Sequence, residues 1–106
     1  MKTPPIFIHQ VDTLIEEQLA HPDMLHLLST HFQLSSSQIY RKIKHKTGLS
    51  PSHYVRQKRL TIAKALIERS DIPLTNIAER VGFRQLSYFS RCFSEHFGKS
   101  PSSLRK

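Results

Sequence analysis

Hydrophobic residues recur along this chain at three- and four-residue steps, the spacing of one face of an α-helix. Six helices are predicted from this pattern, over residues 6–20, 24–32, 36–47, 51–70, 74–81 and 85–97, with one closing turn at 101–104. Residues 1–5 are expected to form a frayed lead-in. No segment alternates apolar and polar residues for long enough to predict a strand. We therefore expect an all-α fold.

The longest predicted helix, residues 51–70, organises the rest of the chain. Ser50 supplies an N-cap oxygen, and Pro51 takes the first helical position, where its missing N–H costs nothing. The apolar positions of this helix are Val55, Leu60, Ile62, Ala63, Leu66 and Ile67. They form a face broad enough to pack against two bodies, although an ordinary core helix with one partner stays an alternative.

The segments on either side of this helix repeat one another. The run Gly-x-Ser-Pro occupies residues 48–51 and returns fifty residues later at 98–101. The pairs matched at this offset include Ser37 with Ser87, Ile39 with Phe89, Arg41 with Arg91 and Ile43 with Phe93. Further upstream the best offset is forty-nine, which one extra residue between Phe83 and Phe89 explains. We infer an internal duplication of a short helical unit.

Each copy contains a short helix, a tight turn and a second helix, which is the helix-turn-helix pattern. In that motif the second helix enters the major groove, and its outward side chains meet base edges. The predicted DNA contacts are Ser36, Ser37, Tyr40, Arg41 and Lys44 in the first copy, and Arg84, Gln85, Leu86, Ser87, Ser90 and Arg91 in the second. Arginine can form two hydrogen bonds with guanine, glutamine can form two with adenine, and leucine can make an apolar contact with the thymine methyl group.

The predicted organisation is a first helix-turn-helix lobe at 1–50, a linker helix at 51–70 and a second lobe at 71–106. A helix of about 19 residues is roughly 28 Å long. That length is close to the ~34 Å between successive major-groove faces on one side of a duplex. We therefore expect the two recognition helices, the second helix of each lobe, to enter successive major grooves.

The charge of the chain is concentrated in its second part. Residues 1–33 carry one lysine and four acidic residues, net −3, whereas residues 34–106 carry fifteen Lys/Arg and four acidic residues, net +11. Such an excess indicates a polyanionic partner, nucleic acid before an anionic membrane. A basic face kept for solubility is the alternative, but the charge coincides with the repeat.

Both copies resemble the AraC/XylS family of bacterial transcription regulators. The resemblance rests on IAERVGF at 77–83, SYFSRCF at 87–93 and FGKSP at 97–101, and on LSSSQIYRKI at 34–43, GLSP at 48–51, Arg59, Leu60 and Ala63. It covers nearly the whole chain and implies seven helices, two lobes joined by a long linker helix, and sequence-specific binding to promoter DNA. It also implies transcription activation with RNA polymerase as a partner.

Within this family, the first copy looks most like the C-terminal domains of hybrid two-component regulators. Two positions depart from the family pattern. Ile43 stands where phenylalanine is frequent, and Gln85 stands where an acidic residue is frequent. The second departure makes the turn more basic and leaves its base preference open.

Other chemistries find little support in the sequence. There is no nucleophile with its base, no phosphate-binding Gly-rich loop and no coenzyme fingerprint, so we expect neither an enzyme nor a cofactor. The seven histidines lack metal-site spacing, and the single cysteine, Cys92, excludes an internal disulfide. Cys92 is expected to be a small, partly buried hydrophobe. Without an apolar run of ~18–20 residues or a signal-peptide core, a cytoplasmic protein without membrane contact is expected.

Three residues outside the predicted contact set keep two interpretations. Tyr88 and Phe89 are candidates for stacking on single-stranded bases, although Phe89 at helical spacing with Phe93 predicts a core position. Arg59 is expected either to contact a phosphate or to pair with an acid such as Glu79.

Two function classes also stay open. The first is the DNA-binding domain of a transcription activator, and the second is a basic helical module that docks RNA or an acidic protein partner. A chain of 106 residues leaves no room for a sensor domain beyond these helices. We expect either a small standalone regulator or the C-terminal domain of a longer protein. In the second case, another domain of the longer protein could form a dimer.

Overall fold

The structure, a computed structural model, describes residues 6–105, and throughout that range the regular elements are helical. The α-helices are α1 (Ile6–Glu17), α2 (Met24–Phe32), α3 (Ser36–Thr47), α4 (Pro51–Arg69), α5 (Leu74–Arg80) and α6 (Leu86–Phe97). A closing 3₁₀ turn, Ser102–Leu104, takes the place of the seventh helix that the family resemblance implied. The all-α prediction is confirmed, and the lead-in predicted at 1–5 lies outside the described residues.

Helix α1 is the one helix whose predicted end is wrong by more than one residue. It ends at Glu17 rather than at residue 20. The N–H of His21 donates to the carbonyl of Gln18 at 2.9 Å, which closes a tight turn instead of another helical turn. Pro22 follows directly and cannot continue a helix. Across residues 6–105, no helix combines the length and apolarity needed to cross a membrane.

The chain divides into two compact units, Met1–Val55 and Arg56–Lys106, and each contains one helix-turn-helix. Helix α4 begins in the first unit and ends in the second. The finer division into two lobes and a separate linker helix stays a prediction.

In the first unit, α1, α2 and α3 enclose one hydrophobic core. Its buried residues are Val11, Leu14, Ile15, Met24, Leu28, Ile39, Ile43 and Val55. The helical spacing of residues 24–32 predicts Leu25, Leu28 and Phe32 on the inner face, but Leu25 is 36% exposed and Met24 is buried instead. Met24 and Leu28 lie within about 40° of each other on the helix, so the inward face of α2 is turned toward Met24.

A hydrogen bond joins α1 to the first turn of α4 in the same unit. The hydroxyl of Tyr54 donates to Oδ1 of Asp12 at 2.6 Å. Burial, together with the neighbouring Asp12 carboxylate, raises the pKa of Tyr54 well above its ordinary value. The phenol therefore stays protonated and remains a donor at neutral pH.

In the second unit, α6 contributes a ridge of phenylalanines to the core. Phe89 and Phe93 are fully buried, and their ring centroids are 5.7 Å apart. Phe93 and Phe97 follow at 4.6 Å, and Phe83 lies 5.2 Å from Phe89. The predicted core position of Phe89 is confirmed, because a side chain with no exposed area cannot stack on a base.

Helix α4 contributes a second set of buried residues to this unit. Leu60, Ala63 and Ile67 are buried. They fall within an arc of about 60° on the helix, whereas Ile62 and Leu66 lie outside that arc and are half-buried. The apolar face of α4 is thus as broad as predicted, and Ile62 and Leu66 lie on its less buried side.

After the closing turn, Arg105 returns to the end of α4. Its guanidinium donates to the carbonyl of Ser70 at 3.0 Å and to that of Ile67 at 3.4 Å, and it also donates to the carbonyl of Ile72. Carbonyls at the end of a helix lack intrahelical partners. Arg105 supplies those partners and fastens the C-terminal segment to the second unit.

We expect Arg105→Ala to lower the free energy of unfolding by about 1.5–3 kcal/mol, because charge-assisted hydrogen bonds to partly buried carbonyls are lost. Urea denaturation followed by circular dichroism measures the change. Lys99→Ala is the matched control, since it removes an exposed cation from the same segment. Equal denaturation midpoints for the two variants would show that the Arg105 contacts do not stabilise the unit.

Candidate nucleic-acid interface

The turn of the first helix-turn-helix is a Schellman motif, which ends one helix and redirects the chain into the next. The N–H of Leu34 donates to the carbonyl of Ser29 at 3.1 Å, and the N–H of Gln33 donates to that of Thr30 at 3.3 Å. Gln33 has a left-handed backbone, with φ 55°. The turn thus relies on a non-glycine residue in a conformation that costs little only for glycine or asparagine.

The turn of the second helix-turn-helix repeats both hydrogen bonds. The N–H of Phe83 donates to the carbonyl of Ala78 at 2.8 Å, and the N–H of Gly82 donates to that of Glu79 at 3.0 Å. Gly82 occupies the left-handed position, with φ 103°. The four residues lie forty-nine positions after their counterparts, so the repeat seen in the sequence extends to the hydrogen bonds of the turn.

The extra residue of the second copy is Arg84. In the first copy, Ser35 is the N-cap of α3 and directly follows Leu34. In the second copy, Gln85 is the N-cap of α6 and follows Phe83 after one intervening residue. The insertion therefore adds a cation to the turn immediately before the second recognition helix.

The two recognition helices, α3 and α6, begin differently. The hydroxyl of Ser35 accepts from the N–H of Gln38 at 3.1 Å, and the amide oxygen of Gln38 accepts from the N–H of Ser35 at 2.9 Å. This capping box fixes the start of α3. At α6, among the described residues, no side-chain hydrogen bond from Gln85 caps the helix. The amide of Gln85 is exposed instead, where an acidic residue would be suited to capping.

Both recognition helices end at a glycine with a left-handed backbone. Gly48, with φ 79°, donates its N–H to the carbonyl of Lys44 at 2.8 Å. Gly98, with φ 73°, donates to the carbonyl of Ser94, also at 2.8 Å. A side chain at either position would strain the backbone, so these glycines define where each recognition helix stops.

On α3, the predicted contact residues share one exposed face. Ile39 and Ile43 are fully buried and fix the orientation of the helix. The five predicted contacts, Ser36, Ser37, Tyr40, Arg41 and Lys44, are all exposed. The helix has no acidic residue, and Arg41 and Lys44 make this face electropositive. Lys42 lies toward α1, with its Nζ 5.2 Å from the ring centroid of Phe7.

On α6 and the turn before it, five of the six predicted contact residues are exposed. The exposed residues are Arg84, Gln85, Leu86, Ser87 and Arg91. Ser90 is half-buried, because it lies on the helix between the outward face and the core side of Phe89 and Phe93. Neither recognition helix has an acidic residue in its first turn.

Beside Arg91 lies a cluster that the sequence did not reveal. Nη1 of Arg56 donates to the hydroxyl of Tyr88 at 3.3 Å, and Cζ of Arg91 lies 5.3 Å from the centroid of the Tyr88 ring. Phe83 supports the other side of this group, with its ring centroid 5.8 Å from that of Tyr88. The one sequence feature that could have indicated this cluster is the spacing of Tyr88 and Arg91, because residues three apart on a helix are neighbours on its surface.

Other candidate residues lie outside these faces. Arg59 is half-buried, and burial lowers the pKa of its guanidinium. Both predicted roles of Arg59, as a phosphate contact and as a partner of Glu79, stay predictions. Cys92 is 7% exposed and packs as a small hydrophobe. Within the described part of the chain, no three His, Cys, Asp or Glu side chains are grouped so that they could hold a metal ion.

Comparison with known proteins shows which family this geometry belongs to. Residues 28–106 match a family described as a helix-turn-helix domain. The HTH-type transcriptional activator RhaS of Salmonella schwarzengrund (strain CVM19633) is 33% identical over 99 residues, which are 93% of this chain and 36% of RhaS. The chain thus spans about a third of the length of the curated relatives that it matches.

Two solved structures share the fold. The C-terminal domain of the two-component response regulator yesN from Fusobacterium nucleatum superimposes with a TM-score of 0.84 at 29% identity, covering 93% of this chain and 97% of that one. The DNA-binding domain of the global transcriptional factor AdpA, solved in complex with a target DNA, gives 0.84 at 26% identity, covering 92% and 88%. The chain belongs to the helix-turn-helix domain family of AraC-type transcription regulators.

Proposed function

We propose that this chain is the DNA-binding part of a bacterial transcription activator and that it binds promoter DNA in a sequence-specific manner. The observation that carries the proposal is the repeated site: Arg41 and Arg91 occupy matched, exposed positions on two recognition helices. An arginine on such a helix is the commonest reader of guanine. The activator RhaS and the DNA-bound AdpA domain support the same function.

The experiment that tests this proposal is selection of bound duplexes from a random pool. A sequence-specific protein enriches one motif, and the expected motif has two boxes, one for each unit. Enrichment without any motif would contradict sequence-specific binding and favour a basic module that docks RNA or an acidic protein.

We further propose that the recognition helices of the two units bind successive major grooves. Helix α4 has 19 residues and is about 28 Å long, near the ~34 Å of one helical turn of DNA. Inserting about half a turn between the two boxes should reduce the affinity to that of one unit, and inserting a full turn should not restore it. Equal affinity of the monomer at every spacing, in a gel-shift series, would show that only one unit reads DNA.

The remaining roles follow from this function. An activator at a promoter contacts RNA polymerase, and it acts in the bacterial cytoplasm, where the promoters are. The chain binds rather than catalyses.

A further inference from the structure

We infer that Tyr88 is a positioning residue that holds Arg56 and Arg91 ready for DNA, and that Arg56 is a backbone-phosphate contact of the second unit. This inference rests on the proposed function. It adds Arg56 and Tyr88 to the interface. It also means that the Arg91 side chain is held in place by the Tyr88 ring before DNA binds.

The geometry links two arginines from different helices through one ring. Tyr88 is 39% exposed on α6, three residues before Arg91. Its hydroxyl oxygen accepts from Arg56 of α4 at 3.3 Å, and the guanidinium carbon of Arg91 lies 5.3 Å from its ring centroid. Two cations that would repel each other are thus both held on one partly exposed aromatic side chain.

Such an arrangement suits an anion. A phenol that accepts a hydrogen bond through a lone pair still has its own proton to donate. The hydroxyl of Tyr88 and the guanidinium of Arg56 therefore offer donors to the same phosphate oxygen. An arginine that is ordered before binding loses less conformational freedom when DNA arrives, which favours affinity.

The first unit lacks a tyrosine at the position that matches Tyr88. The residue fifty positions before Tyr88 is Gln38, whose side chain is used in the capping box of α3. The predicted reader of the first unit, Arg41, thus lacks an aromatic partner at that position. The inference therefore concerns only the DNA box that is read by the second unit.

The first test measures the salt dependence of binding for Arg56→Ala, with a duplex enriched from a random pool by the unmodified protein as the probe. A lost phosphate contact reduces the slope of log K against log salt by about 1, so the affinity loss should be about threefold greater at 50 mM than at 200 mM salt. Base preference should not change. The matched control is Arg69→Ala, which removes an exposed arginine from the far end of the same helix.

The second test separates the two contacts of Tyr88. Tyr88→Phe keeps the ring and removes the hydroxyl, so it should weaken binding in the same direction as Arg56→Ala and keep the base preference. The change in salt slope should be smaller, because the Arg56 cation remains. Tyr88→Leu also removes the ring, so discrimination at the base read by Arg91 should fall by about two- to fivefold. Combining Tyr88→Phe with Arg56→Ala should add little to Arg56→Ala alone, because both remove the same contact.

Thermal melting of each variant establishes that the fold is retained. If Arg56→Ala and Arg69→Ala change the salt slope equally, the effect is one of general charge and the inference is overturned. It is equally overturned if Tyr88→Leu keeps full base discrimination. Failure of the unmodified protein to prefer its enriched duplex over a scrambled one would instead contradict the proposed function, so the two failures are distinguishable.

Discussion

Phe89→Ala is expected to lower the free energy of unfolding by about 3–5 kcal/mol, because it removes a large, fully buried ring and leaves a cavity. The lost contacts are those with Phe83 at 5.2 Å and Phe93 at 5.7 Å. Domains of this size are stable by only ~5–15 kcal/mol. The substitution therefore removes a large fraction of that stability and should lower the melting temperature of the second unit. Differential scanning calorimetry and urea titration measure the effect.

Phe97→Ala is the matched control for this prediction. Phe97 ends the same ridge but is half-buried, so its loss should be clearly smaller. The ranking of the two variants tests the position of the ridge independently of the absolute values. Unaltered melting of Phe89→Ala, together with lost DNA binding, would mean that Phe89 lies on the DNA-facing side of α6.

Arg41→Ala and Arg91→Ala should each weaken binding to the enriched duplex by about 1–3 kcal/mol. Both side chains are exposed, so the fold should be unchanged. They belong to different units, and distant sites that share no partner contribute additively, so the double variant should lose about 2–6 kcal/mol. Each single variant should also relax the preference at one base position, in one box only.

The measurement is a set of dissociation constants for the enriched duplex and for its single-base substitutions, at one salt concentration. Arg80→Ala is a suitable control, because Arg80 is exposed at the end of α5 and is not a predicted contact. Unchanged affinity and unchanged base preference in both Arg41→Ala and Arg91→Ala would remove these arginines from the site.

Local sequence signals predicted the bounds of α3 correctly, whereas the end of α1 was predicted three residues too late even though Pro22 follows it. The predicted range of α3, residues 36–47, matches the structure, because the Ser35 cap and the Gly48 stop both act through their own neighbours in sequence. Leu25 shows the limit of periodicity. Choosing between Leu25 and Met24 as the buried residue requires knowing how α2 is rotated against α1 and α3, and this rotation is set by packing.

In the candidate nucleic-acid interface, too, some features follow from local sequence and others depend on the packing of the helices. Matched positions in the repeat predicted exposed faces on both recognition helices, and only Ser90 is less exposed than expected. The link between Arg56 and Tyr88 joins residues thirty-two positions apart, on two helices, so no spacing rule could reveal it. The uncapped start of α6 at Gln85 was likewise visible only as a departure from the family pattern, without its structural consequence.

Sequence-specific binding to double-stranded DNA is tested most directly by one ratio of affinities. The dissociation constants are measured at the same salt concentration for the enriched duplex, for a scrambled duplex of equal length and composition, and for an RNA of equal length. We expect the enriched duplex to bind about a thousandfold more tightly than the scrambled one. Equal affinity for the three nucleic acids would mean that the basic charge of the chain, rather than its two recognition helices, accounts for binding.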